Sequence, residues 1–129
     1  MAGSGNEDNS ADFEDYIPAG LQLPNLITVG AVDQAGDETS FSTFGKTVVL
    51  HANGFEVESL VPGGARLKFS GTSMASPQVA NAAAKLFALK PQLTVAQVRE
   101  ALLQGAERRG RVNLVNPRRS AELLGLKVD

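Results

Sequence analysis

The segment from Ser73 to Leu89, "SMASPQVANAAAKLFAL", sets the strongest limit on the fold, because it is apolar on nearly every side of a helix. Only Ser76, Gln78, Asn81 and Lys85 interrupt that surface. A helix without a solvent face is expected inside a core rather than on top of one. Its alanines let neighbouring backbones come close. Pro77 has no N–H and is tolerated in a first turn, where that group would have no helical partner. This places the helix start at the serines.

The elements around this helix suit a layered α/β unit. Leu26 to Val32, "LITVGAV", reads as a buried strand, with Gly30 marking close backbone approach. Thr47 to Ala52 reads as a second strand. Phe55 to Leu60 alternates apolar and polar and reads as a half-exposed strand. Asn53-Gly54 and Pro62-Gly63-Gly64 are turn signals, and Ala65 to Phe69 reads as a short strand leading into the helix. Downstream, Thr94 and Gln97 form a capping box, Gly105 follows the last turn, and Val95, Val98, Ala101 and Leu102 make a core stripe. A last short helix starts at Asn116-Pro117 and stops near Gly125. Residues 1–20, glycine-rich and then acidic, read as loop.

The totals exclude several classes. At 129 residues, of which 43% are apolar and 20% charged, the chain has the size and composition of one ordinary domain with a real core. A net charge of −2 gives no reason to expect nucleic acid or an anionic membrane surface. No apolar run approaches the length of a membrane span, and Met1-Ala2-Gly3 does not open a signal peptide. With no cysteine there are no disulfides, thiolate metal sites or cysteine nucleophiles.

Chemistry is most plausible at the start of the long helix. A serine hydroxyl becomes a nucleophile beside a general base and near donors preorganised for the developing oxyanion. A helix N-terminus supplies free N–H groups and a favourable dipole, and Gly71 keeps side chains out of the way. Ser73 therefore has the setting of a nucleophile. Composition alone favours the plainer reading, in which Thr72, Ser73 and Ser76 cap a buried helix.

The nonapeptide Phe69-Ser70-Gly71-Thr72-Ser73-Met74-Ala75-Ser76-Pro77 resembles the nucleophile motif of the subtilisin-like serine proteases. "QVANAAAKLFALKPQLTVAQVREALLQGAE" resembles the helix, Lys-Pro turn and helix that follow it in that family. "LPNLITVGAVDQAGDETSFSTFG" and "GRVNLVNPRRSAEL" resemble a strand with its Ser-Phe-Ser loop and the closing segment. Gly5-Asn6-Glu7 is similar to the motif whose asparagine amide donates to the oxyanion. The likeness runs through nearly the whole chain in order.

The resemblance implies a mostly parallel sheet, truncated, packed on a buried central helix and two C-terminal helices. Residues 1–129 would be one C-terminal portion of a catalytic domain: an oxyanion-loop region at 1–20, strands and loops at 21–70, and the helices at 71–129. Ser73 would be the nucleophile of an endopeptidase, acylated during hydrolysis of a polypeptide, and Asn6 would complete the oxyanion hole. Read without the family, Asn6 is a turn residue after Gly5. Ile17, Pro18 and Ala19 resemble a wall of the pocket for the side chain before the scissile bond. No cofactor is implied. Calcium sites occur in the family, but Asp8, Asp12 and Asp15 read as a solvated loop, not a metal cage. The family suggests export from the cytoplasm.

The chain departs from the family where activation is concerned. The triad runs Asp, His, Ser along the chain. The one histidine, His51 in "VVLHANG", does not match the catalytic histidine motif and reads as structural or partly exposed. Asp8, Asp12, Glu14 and Asp15 do not match the aspartate motif. The chain alone is therefore expected to be inactive or nearly so. It is expected to associate with the N-terminal half of the same domain or with itself, because missing strands would expose a sheet edge and one side of the Ser73 helix. The rival reading is a non-catalytic α/β assembly module. A lipase or esterase ranks last, because "GTSMA" lacks the second glycine of Gly-x-Ser-x-Gly.

Overall fold

In the computed structural model, residues 1–6, 25–42, 44, 48–110 and 112–126 are described. Five strands form one sheet in the order β1-β2-β3-β7-β6. They are β1 (Ala2–Gly3), β2 (Thr28–Val32), β3 (Val48–Asn53), β7 (Val112–Leu114) and β6 (Glu107–Arg109). The first four run parallel, and β6 closes the edge antiparallel to β7. A separate antiparallel hairpin joins β4 (Val57–Leu60) to β5 (Arg66–Phe69). The helices are α1 (Thr72–Leu89), α2 (Val95–Gly105) and α3 (Pro117–Leu123). This is the expected α/β sheet-and-helix layering.

The core sits between one face of β2 and β3 and the helices. Val29, Ala31, Leu50 and Ala52 pack with Ala75, Val79, Ala82 and Leu86 of α1 and with Val98, Ala101 and Leu102 of α2. Alternation along the strands sends Gly30 and His51 to the opposite face. There the loop after β2 covers them, with Ser42 Oγ accepting from Ala31 N–H at 3.0 Å.

Several local expectations need correction. α1 is not buried all round: its covered stripe is Thr72, Ala75, Val79, Ala82 and Leu86, while Pro77, Ala80, Asn81, Ala84, Lys85, Ala88 and Leu89 are exposed. The sheet and α2 reach one side, and none of the described residues covers the other. Pro77 lies in the second turn rather than the first, so it removes the helical bond to the Ser73 carbonyl. Val95 is 57% exposed, one turn ahead of the α2 stripe. Gly105 ends α2 rather than following it. A Cβ there would stand 2.5 Å from Ser120 Oγ and 2.8 Å from Ser120 N, so this glycine serves the contact of α2 with α3. β6 and β7, three residues each, carry no alternation that marks them as strands. The capping box is present: Thr94 Oγ1 accepts from Gln97 N–H at 3.1 Å, and Gln97 Oε1 accepts from Thr94 N–H at 2.9 Å.

Candidate functional site

The parallel pairing of β1 with β2 carries the chain past Ser4 to Asn6, directly against the N-terminus of α1. Asn6 Oδ1 accepts two bonds from Thr72, one from the backbone N–H at 2.9 Å and one from Oγ1 at 3.1 Å. Thr72 Oγ1 in turn accepts from Gly5 N–H at 3.2 Å. A backbone N–H only donates, so the Asn6 atom that faces it is the carbonyl oxygen. The amide NH2 is left as a donor on the other side. The N-cap residue Gly71 offers no side-chain cap. Asn6 therefore caps α1 from the segment after β1, and its amide has no hydrogen-bond partner among the described residues.

Gly71 fits this arrangement for two reasons. Its φ of 152° is one that L side chains rarely adopt, and an added Cβ would meet Asn6 Nδ2 at 3.3 Å. Its N–H donates to Gly54 O at 2.8 Å, tying the helix start to the turn after β3. Gln78 Nε2 reinforces the tie, donating to Asn53 O at 2.6 Å and to Met74 O at 3.1 Å.

The first N–H groups of α1 are used unequally. Thr72 N–H goes to Asn6, and Met74 N–H goes to Gly71 O at 3.0 Å. Ser73 is exposed, and neither its N–H nor its hydroxyl makes a hydrogen bond among the described residues. No acidic residue stands in the first turn to offset the positive end of the helix dipole. Ser73 thus joins an exposed hydroxyl, an unspent N–H and a nearby amide donor, which is the donor set that acyl transfer needs. A groove of about 700 Å3 starts at Ser73 and follows α1 through Pro77 and Asn81 to Lys85, walled by Val57 of the hairpin and Leu114 of β7.

Asn6 is brought against Thr72, the residue directly before Ser73. His51 is 2% exposed and lies on the far face of the sheet from α1, which removes the partly exposed option. Ile17, Pro18, Ala19, Asp8, Asp12, Glu14 and Asp15 lie outside the described residues. The role of Thr72 as the clamp on Asn6 was missed: threonine before the serine reads as an ordinary cap, and only the fold brings Asn6 to it. Among the described residues, no group of three or more His, Asp or Glu side chains could hold a metal ion. Nor is any helix there long and apolar enough to cross a membrane.

Residues 1–121 match the model of the subtilase family. The chain is 41% identical over 102 residues to subtilisin of Bacillus pumilus, covering 78% of this chain and 36% of that protein. It is 41% identical over 87 residues to the subtilisin-like serine protease Pen ch 13 of Penicillium rubens, covering 67% and 21%. Among solved structures, the self-cleaved protease domain of PatA matches with a TM-score of 0.81 and 32% identity, over 97% of this chain and 49% of that one. The chain therefore spans about a third of the length of the Bacillus pumilus enzyme and half of the PatA domain.

Proposed function

The chain belongs to the subtilase family, and from that premise we propose that residues 1–129 are the C-terminal portion of a serine endopeptidase catalytic domain. Ser73 is its nucleophile, and the base is supplied by residues outside this chain. The observation that carries the reading is the clamp of Thr72 on Asn6, which spends the asparagine carbonyl and leaves its amide beside the unspent N–H of Ser73.

In this reading, Ser73 Oγ attacks the carbonyl carbon of a peptide bond in a polypeptide substrate and gives its proton to the external base. The carbonyl oxygen becomes an oxyanion held by Ser73 N–H and Asn6 Nδ2–H. Collapse expels the amine, which takes up the proton, and leaves an acyl ester on Ser73 that water then hydrolyses. In subtilisin itself, loss of the oxyanion asparagine lowers turnover by roughly 10²–10³, and loss of the histidine by roughly 10⁶. Those magnitudes belong to that enzyme and set the scale here. Among the described residues the one histidine is buried and engaged elsewhere, so this chain alone is inactive. The partner that completes it is the preceding half of the same domain, seated along the open side of α1.

Intact-mass labelling with a fluorophosphonate probe tests this, with Ser73→Ala as control and circular dichroism to check folding. The folded chain alone takes no label, and it acquires a label on Ser73 when the preceding half is supplied. Rapid labelling of the isolated chain would overturn the external-base reading.

A further inference from the structure

The chemistry proposed at Ser73 makes no use of His51, yet its buried ring joins three elements. Nδ1 accepts from Asn113 N–H on β7 at 3.1 Å. Nε2 lies 3.3 Å from the Glu38 carboxylate in the loop after β2. Because a backbone N–H only donates, Nδ1 carries no proton, and the neutral ring holds its proton on Nε2, donated to Glu38. The backbone join it supports is thin. β3 meets β7 through the register pair His51–Leu114. Val115 N–H donates to His51 O at 2.9 Å, and the Asn113 side chain to Val49 O at 3.2 Å. Among the described residues, the imidazole thus supplies one of the hydrogen bonds that hold β7 to β3, whereas α3 packs on α2.

We propose that His51 is an acid-sensitive latch: a second proton, taken up on Nδ1, sets donor against donor at Asn113 and releases β7 from β3. Glu38 is the charged group among the described residues that touches the ring. It favours the imidazolium and anchors the Nε2 end, so the rupture falls on the β7 side. On the β2 side the ring is packed against Gly30, where a Cβ would meet His51 Cδ2 at 2.7 Å, so it has no room to slide that way. β7 presents uncharged Asn113. Arg109 of β6 reaches the Glu38 loop but donates to Ala35 O at 3.2 Å. Asp33 is turned into its own loop, accepting from Ala35 and Asp37 N–H groups at 2.9 and 3.1 Å. The closed state has no place for the second proton and the open state has one, so opening grows as pH falls. Leu114, Val115 and Pro117 line the groove that begins at Ser73. Acid would therefore remove one wall of that groove, whether or not Ser73 is a nucleophile.

Hydrogen-exchange protection, corrected for intrinsic rates and followed from about pH 8 to pH 5, tests the latch. Residues 112–115 should lose protection by up to about tenfold per pH unit on the acid side, as one proton requires, while residues 28–32 hold theirs. His51→Asn, whose Oδ1 accepts from Asn113 without titrating, should abolish the difference. The chain has one histidine, so its nitrogen spectrum is unambiguous and should show the Nε2–H tautomer at pH 8. An Nδ1–H tautomer, equal loss in both segments, no loss, or the same slope in His51→Asn would each overturn the proposal. If His51→Asn does not fold, Glu38→Gln replaces it. It removes the charge that favours the imidazolium and so should extend the acid response to lower pH, and an unchanged response counts against the latch.

Discussion

Replacing Asn6 should separate two jobs that one side chain performs. Its carbonyl caps α1 through Thr72, and its amide is proposed to bind the oxyanion. Asn6→Ala removes both. Loss of an N-cap acceptor costs about 0.5–2 kcal/mol, and a typical intramolecular hydrogen bond contributes about 0.5–1.5 kcal/mol net. Asn6 is exposed while Thr72 is 2% exposed, so water can partly replace the lost acceptor but must reach a buried threonine to do so. The expected loss is about 1–2 kcal/mol, a 5–30-fold change in the folded-to-unfolded ratio. Asn6→Asp keeps an oxygen facing Thr72 and places a negative charge at a helix N-terminus, worth about 0.3–1 kcal/mol in favour. It should be at least as stable as the parent chain yet fail as an oxyanion donor, because a carboxylate only accepts and repels the forming charge. Urea unfolding followed by circular dichroism reads the first effect. Peptide hydrolysis by the completed enzyme reads the second. Equal destabilisation by alanine and aspartate would refute the capping argument, and full activity of the aspartate variant would refute the donor role.

Other consequences follow from contacts already described. Ser73→Ala touches an exposed, unbonded hydroxyl, so it should abolish probe labelling of the completed enzyme while changing stability by less than about 0.5 kcal/mol. Among the described residues, Ser4 and Ser120 bury hydroxyls that have no partner, so Ser4→Ala should leave the urea midpoint unchanged or raise it by the equivalent of about 1 kcal/mol; a large fall would mean that hydroxyl is bonded. Gly105→Ala drives a methyl into Ser120, backbone included, and should cost about 1–3 kcal/mol by overpacking, without rescue by Ser120→Ala. Leu86→Ala empties a fully buried site between α1 and the core and should cost about 2–5 kcal/mol in the same assay.

What was legible in the sequence was what local chemistry dictates. Thr94 and Gln97 announced a capping box because both partners lie within one turn. Asn116-Pro117 marked the start of α3, where Asn116 Oδ1 accepts from Arg119 N–H at 3.1 Å. β6 and β7 were hidden because Glu107–Arg109 and Val112–Leu114 owe their strand form to pairing with each other and with His51, not to any pattern of their own. Gly105 looked like a helix stop because a glycine at a helix end has two uses, and only the packing of α3 tells them apart. The site divides the same way. The nonapeptide marks Ser73, but the reason Asn6 can donate lies in its bonds to Thr72, 66 positions along the chain.

The surface of α1 bears on how much of the machine this chain holds. One side of the helix is spent within the chain, on Ala75, Val79, Ala82 and Leu86. The other side leaves Pro77, Ala80, Asn81, Ala84, Lys85 and Ala88 exposed. Alanine favours helix wherever it stands, but lysine and glutamate do so nearly as well and would keep a solvated face soluble. The pattern makes sense if that face is covered when the protein works. The groove that begins at Ser73 is lined by Pro77, Asn81 and Lys85 of that side, so whatever covers the helix there also arrives beside Ser73. Folding of the exposed face and activation of Ser73 would then be one event. A complement that labels Ser73 should also protect Ala80, Ala84 and Ala88 from hydrogen exchange with the same concentration dependence. Labelling without that protection would mean the base reaches Ser73 by another route.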